Sequence, residues 1–248
     1  RLIVASRKLP TKIIVSVRND PKIIFKNHVS KLFGELFYRC ADCVVFQTDD
    51  AKTFFSKQIQ KKSQVILNPV DDIFFQKIDF LGKNIIACGR LSKQKNYKMM
   101  LAAFKLVLKK FPMETLAIYG EGHLLNELKE YAQHLEINNQ VKFMGYCSDM
   151  ASVYKNGKFL ITSSDYEGLP NVLLEALASS LPAVSTNCPC GGPQMIIENG
   201  INGYLTETGN EVLFSEAICK LLVNENNLKK MKTEAYYMAK KYSKSTIV

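Results

Sequence analysis

Two glutamates eight residues apart, Glu167 and Glu175, frame the stretch of this 248-residue chain best suited to chemistry. Between them run Gly168, Leu169, Pro170, Asn171 and Val172. An apolar run at 159–161 precedes them and reads as a buried strand. A polar turn comes next, and then a helix over 171–180, with Pro170 at a first helical position where its missing N–H costs nothing. The free amides of that helix start, with the helix dipole, make an anion site at a strand end. Glu175 then sits roughly 7–8 Å along the helix axis from the anion site. That matches the reach from a diphosphate to a ribose, and a carboxylate can accept two hydrogen bonds from a vicinal diol. Alone, a strand–turn–helix carrying a glutamate is ordinary scaffold. Arg90 and Lys95 supply the opposite charge. Arg90 directly succeeds another strand end, and a guanidinium fork with a mobile ammonium can hold a diphosphate. Two basic residues in a loop are also what any surface offers.

Alternating strands and helices must position these groups. Strands are expected over 12–17, 42–47, 64–67, 84–88, 115–119, 141–144, 159–161, 182–185 and 203–205. Helices are expected over 28–38, 98–111, 124–135, 149–154, 210–223 and 228–241, with Thr48 or Asp49 capping another toward residue 56. The alternation implies a parallel sheet covered on both faces. Strands 84, 115, 141, 159 and 183 belong in one sheet. Residues 73–82 read as a linker. The expected division is a partial Rossmann-like domain over 1–78 and a complete one over 79–248.

Bulk composition narrows the partners. A net charge of +10, from 33 basic and 23 acidic residues, suits a polyanionic ligand, an anionic surface or nucleic acid. The charges are spread out, and no nucleic-acid-binding module is recognisable. No run approaches the ~18–20 apolar residues of a membrane span. No signal peptide is visible, and the chain reads as beginning inside a larger protein. Seven cysteines, mostly in apolar runs, suggest reduced thiols and a cytoplasmic setting. Cys40 with Cys43, and Cys188 with Cys190, have spacings open to zinc, but a helix–strand junction and Pro189 interrupt them. His28, His123 and His134 have no spacing that makes a metal site or triad. Ser163 and Ser164 lack a nucleophile-elbow context.

The string from Glu167 to Glu175 resembles the E-x7-E signature of retaining glycosyltransferases with the GT-B fold, family four. Gly89-Arg90-Leu91 with Lys95 resembles the same family's Gly-Arg-Leu…Lys motif. Gly120-x-Gly122, too sparse for a nicotinamide fingerprint, matches its Gly-x-Gly after the second donor-domain strand. Residues 143–146 match the segment beside the base, which brings in Tyr146. Residues 187–205 fit the family pattern except that Met195 stands where Glu is usual. The resemblance implies that Glu167 approaches the donor sugar and that Glu175 holds the ribose. It implies that Arg90 and Lys95 clamp the phosphates, and that the amides over 168–172 meet sugar and phosphate. Arg18 occupies a place where relatives carry an acceptor-facing histidine.

The resemblance further implies a retaining transfer from a nucleotide diphosphate sugar, UDP-linked for preference, to a glycan or lipid-linked acceptor. Such an enzyme would need no metal and no other cofactor. It would act in the cytoplasm at the inner face of the plasma membrane, with a peripheral membrane contact and no nucleic acid. This would serve surface-polysaccharide or glycolipid synthesis. A nucleotide-sugar-binding fragment without turnover, and a non-hydrolysing nucleotide-sugar epimerase, are the other readings.

Overall fold

The computed structural model describes residues 10–247. It contains two wholly parallel sheets. The first has strands β1 (Ile14–Val17), β2 (Cys43–Phe46) and β3 (Ser63–Val65) in that order. The second has β4 (Asn84–Cys88), β5 (Leu116–Tyr119), β6 (Val141–Gly145), β7 (Gly157–Thr162), β8 (Ala183–Thr186) and β9 (Gly203–Thr206), in spatial order β6-β5-β4-β7-β8-β9. The five strands expected to share a sheet do so, each pair parallel, and β9 adds an edge. This is an α/β architecture of GT-B type: a complete Rossmann-like unit preceded by the last part of another.

Period-two alternation explains why the larger sheet is covered on both faces. Ile85, Ala87, Leu116, Ile118, Phe159 and Ile161 point to one side. There they pack on the helices Tyr97–Leu108 and Glu211–Val223. Ile86, Cys88, Ala117 and Leu160 point to the other, against Leu173, Leu174 and Leu177 of the helix Asn171–Ala178. Those three leucines are 1% exposed or less, so truncating any one to alanine would cost about 2–5 kcal/mol. The helix expected over 98–111 is present as Tyr97–Leu108. Met99, Met100, Ala103, Phe104 and Val107 are all buried, and Asn96, with φ of 43°, caps the helix start through Met99 N.

Several boundaries differ from expectation, for identifiable reasons. Pro170 is the N-cap of the helix Asn171–Ala178 rather than its first residue, because its ψ of 111° is extended. A short helix, Gly192–Ile196, carries Pro193 in its first turn, where a missing N–H costs nothing. A short helix, Lys57–Lys61, was not anticipated; its five residues, KQIQK, bury only Ile59 and offer no periodic signal. Residues 73–82 are not a free tether. Gln76 N donates to Ala178 O, Ile78 N to Ser180 Oγ, and Ser179 Oγ to Phe74 O. These bonds stitch the connection to the C-terminal end of the helix Asn171–Ala178. The last residues return to the same place: Val70 N donates to Tyr242 O at 2.8 Å, and Lys244 pairs with Asp71 at 3.0 Å.

Candidate active site

In the six-stranded order the chain runs outward from β4 to β5 and β6 on one side, then crosses back to β7, β8 and β9 on the other. The carboxyl ends of β4 and β7 therefore flank a topological switch point, where open α/β sheets leave a crevice for ligands. Both charged motifs lie there. Gly89 and Arg90 come directly after β4, with Lys95 at the end of a 3-10 turn, Lys93–Lys95. Ser163, Ser164 and Glu167 come after β7.

Across this crevice Lys95 Nζ donates to Glu167 Oε1 at 2.5 Å. The side chains are 19% and 12% exposed, so the pair is largely withdrawn from water. Ser164 Oγ donates to the same oxygen at 2.7 Å, and Gln94 Nε2 approaches Oε2 at 3.5 Å. Gln94 Nε2 also donates to Tyr166 O at 2.9 Å, and Ser163 Oγ to the carbonyls of Lys95 and Asn96. The two loops are thus laced together, and the glutamate is held by an ammonium and a hydroxyl at once. Gln94, Ser163 and Ser164 carry this lacing. The only signal for them was proximity in sequence to Lys95 and Glu167.

Gly89 is in the left-handed region at φ 142°, and a Cβ there would lie 3.3 Å from Lys95 Cε. Its missing side chain makes room for the lysine stem. Gly120, at φ 135°, backs directly onto the Gly89 carbonyl, so these two turns fit only as glycines. Arg90 is exposed and makes no hydrogen bond or ion pair among the described residues. The clamp expected of Arg90 and Lys95 together is therefore divided: Lys95 is engaged by Glu167, while Arg90 stands open at the end of β4. Tyr146, just past β6, is 75% exposed on the rim.

Residues 168–171 are held by the other sheet. Gln47, after β2, accepts from Leu169 N at 3.4 Å through Oε1 and donates through Nε2 to Asn68 Oδ1 at 2.5 Å. Asn68, after β3, donates to Leu169 O at 3.2 Å and to Asn171 Oδ1 at 2.6 Å. Gly168 lies against the carbonyl of Arg18, the residue after β1, where any Cβ would collide. The Arg18 side chain itself is exposed and unbonded among the described residues. No side chain caps the helix Asn171–Ala178, so its first amides, at Asn171 and Val172, remain directed out of the helix start.

Glu175 sits further along that helix, half-buried. Burial raises its pKa, while the Tyr154 hydroxyl beside it pulls the other way. Tyr154 OH lies 2.9 Å from Cys88 Sγ at the end of β4. Burial pushes the Cys88 and Cys188 thiols up to about 12, and the Glu167 charge adds to the effect at Cys188. Burial thus disfavours the thiolate, the nucleophilic form, at both positions. The arrangement offers a fixed carboxylate, two cations, open helix amides and a second carboxylate about one helical turn further along.

Residues 71–238 match the family model described as glycosyl transferases group 1. The chain is 30% identical over 205 residues to an uncharacterized glycosyltransferase of Methanocaldococcus jannaschii, covering 75% of this chain and 50% of that protein. It is 27% identical over 254 residues to the N-acetylgalactosamine-N,N'-diacetylbacillosaminyl-diphospho-undecaprenol 4-alpha-N-acetylgalactosaminyltransferase of Campylobacter jejuni, covering 96% and 67%. Among solved structures it resembles Anabaena HepE in complex with UDP-glucose, with a TM-score of 0.87 at 19% identity, over 99% of this chain and 72% of that one. The chain spans about half the length of the first of these relatives.

Proposed function

The chain belongs to the glycosyl transferases group 1 family, and on that premise we propose that it binds the donor in a retaining transfer from a nucleotide diphosphate sugar to a glycan or lipid-linked acceptor. The observation that carries this reading is the Lys95–Glu167 pair at the switch point, with Arg90 open beside it and uncapped helix amides next to it. Arg90 and the amides of Asn171 and Val172 would hold the diphosphate. Glu175 would accept from the ribose diol. Glu167 would face the sugar, where positive charge builds on the anomeric carbon, and fixed charges in a dry crevice act strongly on such a transition state. On the same face, the bond from the anomeric carbon to the diphosphate oxygen breaks as the acceptor oxygen bonds. The acceptor proton passes to the departing diphosphate. No step requires a metal ion.

UDP is the nucleotide favoured, since the HepE structure of the same fold was solved with UDP-glucose. The name of the Campylobacter relative specifies an acceptor on diphospho-undecaprenol, which supports a lipid-linked acceptor in bacterial surface-glycan synthesis, met at the cytoplasmic membrane face. No helix among the described residues is long and apolar enough to cross a membrane, so contact with such an acceptor would be peripheral.

The test is a thermal-shift titration of the protein with UDP, GDP, ADP and their sugars. UDP and one UDP-sugar should raise the midpoint by mass action, and Arg90→Ala should abolish the rise. Failure of every nucleoside diphosphate to shift it would overturn the donor assignment. Because the chain covers about half of its first relative, nucleotide-sugar binding without turnover is the second reading, and product formation separates the two.

A further inference from the structure

The helix His28–Arg39 packs on the first sheet and leaves an apolar stripe uncovered. Val29, Leu32, Phe33, Leu36 and Phe37 recur at the spacing of one helical face, and among the described residues they are 38–71% exposed. Ile23 and Ile24, in the short helix Pro21–Ile24 just before it, are exposed as well. Large apolar side chains scattered singly are normal on a surface, but a contiguous set marks a face that meets something.

The stripe is not a fault of helix register. A reciprocal cap fixes the helix start: Ser30 N donates to Asn27 Oδ1 at 2.8 Å, and Asn27 N donates to Ser30 Oγ at 3.2 Å. The opposite face is committed. Gly34 is buried against the Phe25 ring, where any Cβ would collide, and Phe25 packs at 6.0 Å on Tyr38 and 6.2 Å on Phe54. Glu35, the one acidic residue of 21–39, is turned inward too. It accepts from Ser56 N at 3.0 Å, and its side chain is 14% exposed. Rotating the helix to bury the leucines would break these contacts and bring Gly34 out.

The charge around the stripe has one sign. Lys22, Lys26 and Arg39 are exposed, Arg39 also reaching Glu35 at 3.8 Å, and Lys31 Nζ sits 4.3 Å over the Phe54 ring. A second copy of the chain fits such a face poorly, since a two-fold contact would set the same cationic rim against itself. An apolar stripe rimmed by cations is instead complementary to the headgroup layer of an anionic bilayer. Leucine and phenylalanine enter the acyl boundary there, and the cations meet lipid phosphates. We infer that the stripe of the helix His28–Arg39 docks the protein on an anionic lipid surface. The segment starts just past Arg18, whose carbonyl lies against Gly168, so docking holds the Glu167 crevice beside the membrane. The inference rests on the proposed function only in naming a lipid-linked acceptor as the reason to dock; lipid binding itself needs no donor.

Co-sedimentation of the purified protein with vesicles of phosphatidylcholine alone, or of equal parts phosphatidylcholine and phosphatidylglycerol, tests it beside a thermal-shift titration with UDP. The mixed vesicles should bind at least tenfold more tightly, and the preference should fall as salt rises. Leu32→Gln with Leu36→Gln, both at exposed positions, should weaken binding at least tenfold at an unchanged melting temperature. Lys22→Glu with Lys26→Glu should remove the preference for the mixed vesicles. The chain has no tryptophan, so Phe33→Trp places a single reporter in the stripe, and its emission should shift to the blue on the mixed vesicles. Vesicle binding without a UDP shift would sustain the docking surface and fail the donor reading alone. No vesicle binding by the unsubstituted protein, or an emission unmoved by bound vesicles, would overturn the inference. So would a dimer that dissociates in the Leu32→Gln, Leu36→Gln protein, or a melting temperature lowered by that pair, which would show the stripe covered by a second copy or within the chain.

Discussion

Lys95 Nζ and Glu167 Oε1 stand 2.5 Å apart across the carboxyl ends of β4 and β7, the two parallel strands at which the chain switches from one side of the larger sheet to the other. Neither residue lies on a strand or an α-helix; each is fixed because its loop is bonded to the other's. Asp165 N donates to Gln94 O at 2.9 Å, and Asn96 Nδ2 donates to Asp165 Oδ1 at 2.8 Å. The ion pair therefore reports the distance between the two loops as much as the charges of its members.

Breaking that pair from one side should cost more than removing both charges. With both side chains under one-fifth exposed, Lys95→Met should destabilise the protein by about 2–3 kcal/mol, because it leaves a largely desolvated carboxylate. Adding Glu167→Gln should recover at least half of that loss. Urea unfolding of the two single variants and the double gives the cycle. Strict additivity would show that the two groups do not interact in solution.

Much of this site was legible in the sequence because local patterns determine it. Short apolar runs marked the strands of the larger sheet, and the helix expected over 98–111 corresponds to Tyr97–Leu108, with Met99, Met100, Ala103, Phe104 and Val107 on its buried face. Glu167, Lys95 and the start of the helix Asn171–Ala178 were found from residue type beside a strand end. The part that stayed hidden is long-range. The Lys95–Glu167 bond joins residues 72 positions apart, and the Gln47–Asn68–Leu169 network joins three loops. No local pattern encodes which loop tips meet. The helix His28–Arg39 carries the opposite lesson. Its apolar spacing is real, but Val29, Leu32, Phe33 and Leu36 face outward at 54–71% exposure, while Gly34 packs on Phe25. Periodicity identifies an apolar stripe, not what covers it.

Gly168 should tolerate no side chain. A Cβ there would collide with the Arg18 carbonyl and meet Gln47 Oε1 at 2.8 Å. Relief requires the two sheets to move apart and the Gln47–Leu169 bond to break. Gly168→Ala is expected to lower kcat at least 100-fold with a loss of no more than about 2 kcal/mol in stability, since misplacement of an ångström at a reacting centre has that scale of effect. Kinetics beside chemical unfolding would decide it; unaltered kcat would mean that the approach of the two sheets is not needed for turnover.

Lys232 gives a stability signature far from the site. It is 1% exposed, its Nζ has no hydrogen-bond partner among the described residues, and burial lowers its pKa to about 8, with Asp79 offsetting a little. The unfolded chain, with an ordinary value near 10.4, binds the extra proton between about pH 8 and 10.4. Stability from this group therefore rises with pH through that window and is lost below it. Lys232→Met should stabilise the protein at pH 7 by an amount on the order of 3 kcal/mol, and the advantage should shrink as pH climbs past 8. Melting temperatures of both proteins from pH 6 to 10 provide the check; a constant difference would place the ammonium in water.

Glu175 should behave in the opposite sense. Burial raises its carboxyl pKa, so the folded state favours the protonated form. Its contribution is fully present below the unfolded value near 4.3 and is lost as pH rises through the folded one. Glu175→Gln should therefore leave stability unchanged at pH 3.5 and raise it at pH 7. Melting curves at the two pH values suffice, and a variant less stable at pH 7 would contradict the desolvation account.

The two glutamates should separate kinetically. A carboxylate that holds the ribose serves substrate and transition state alike, so Glu175→Gln should raise the donor KM about tenfold or more and leave kcat within about threefold. On the proposed reading Glu167 would face the sugar as charge develops on the anomeric carbon. Its replacement by Gln should fall on kcat, by about 100-fold or more, with donor KM little changed. The same assay, run with excess chelator, should retain full turnover, because on the proposed reading Arg90 and the amides at the start of the uncapped helix Asn171–Ala178 would supply the positive charge that a metal would otherwise bring. The product should keep the donor's anomeric configuration. Activity that disappears with chelator and returns with Mn²⁺, or a product of inverted configuration, would refute this mechanism while leaving the fold assignment intact.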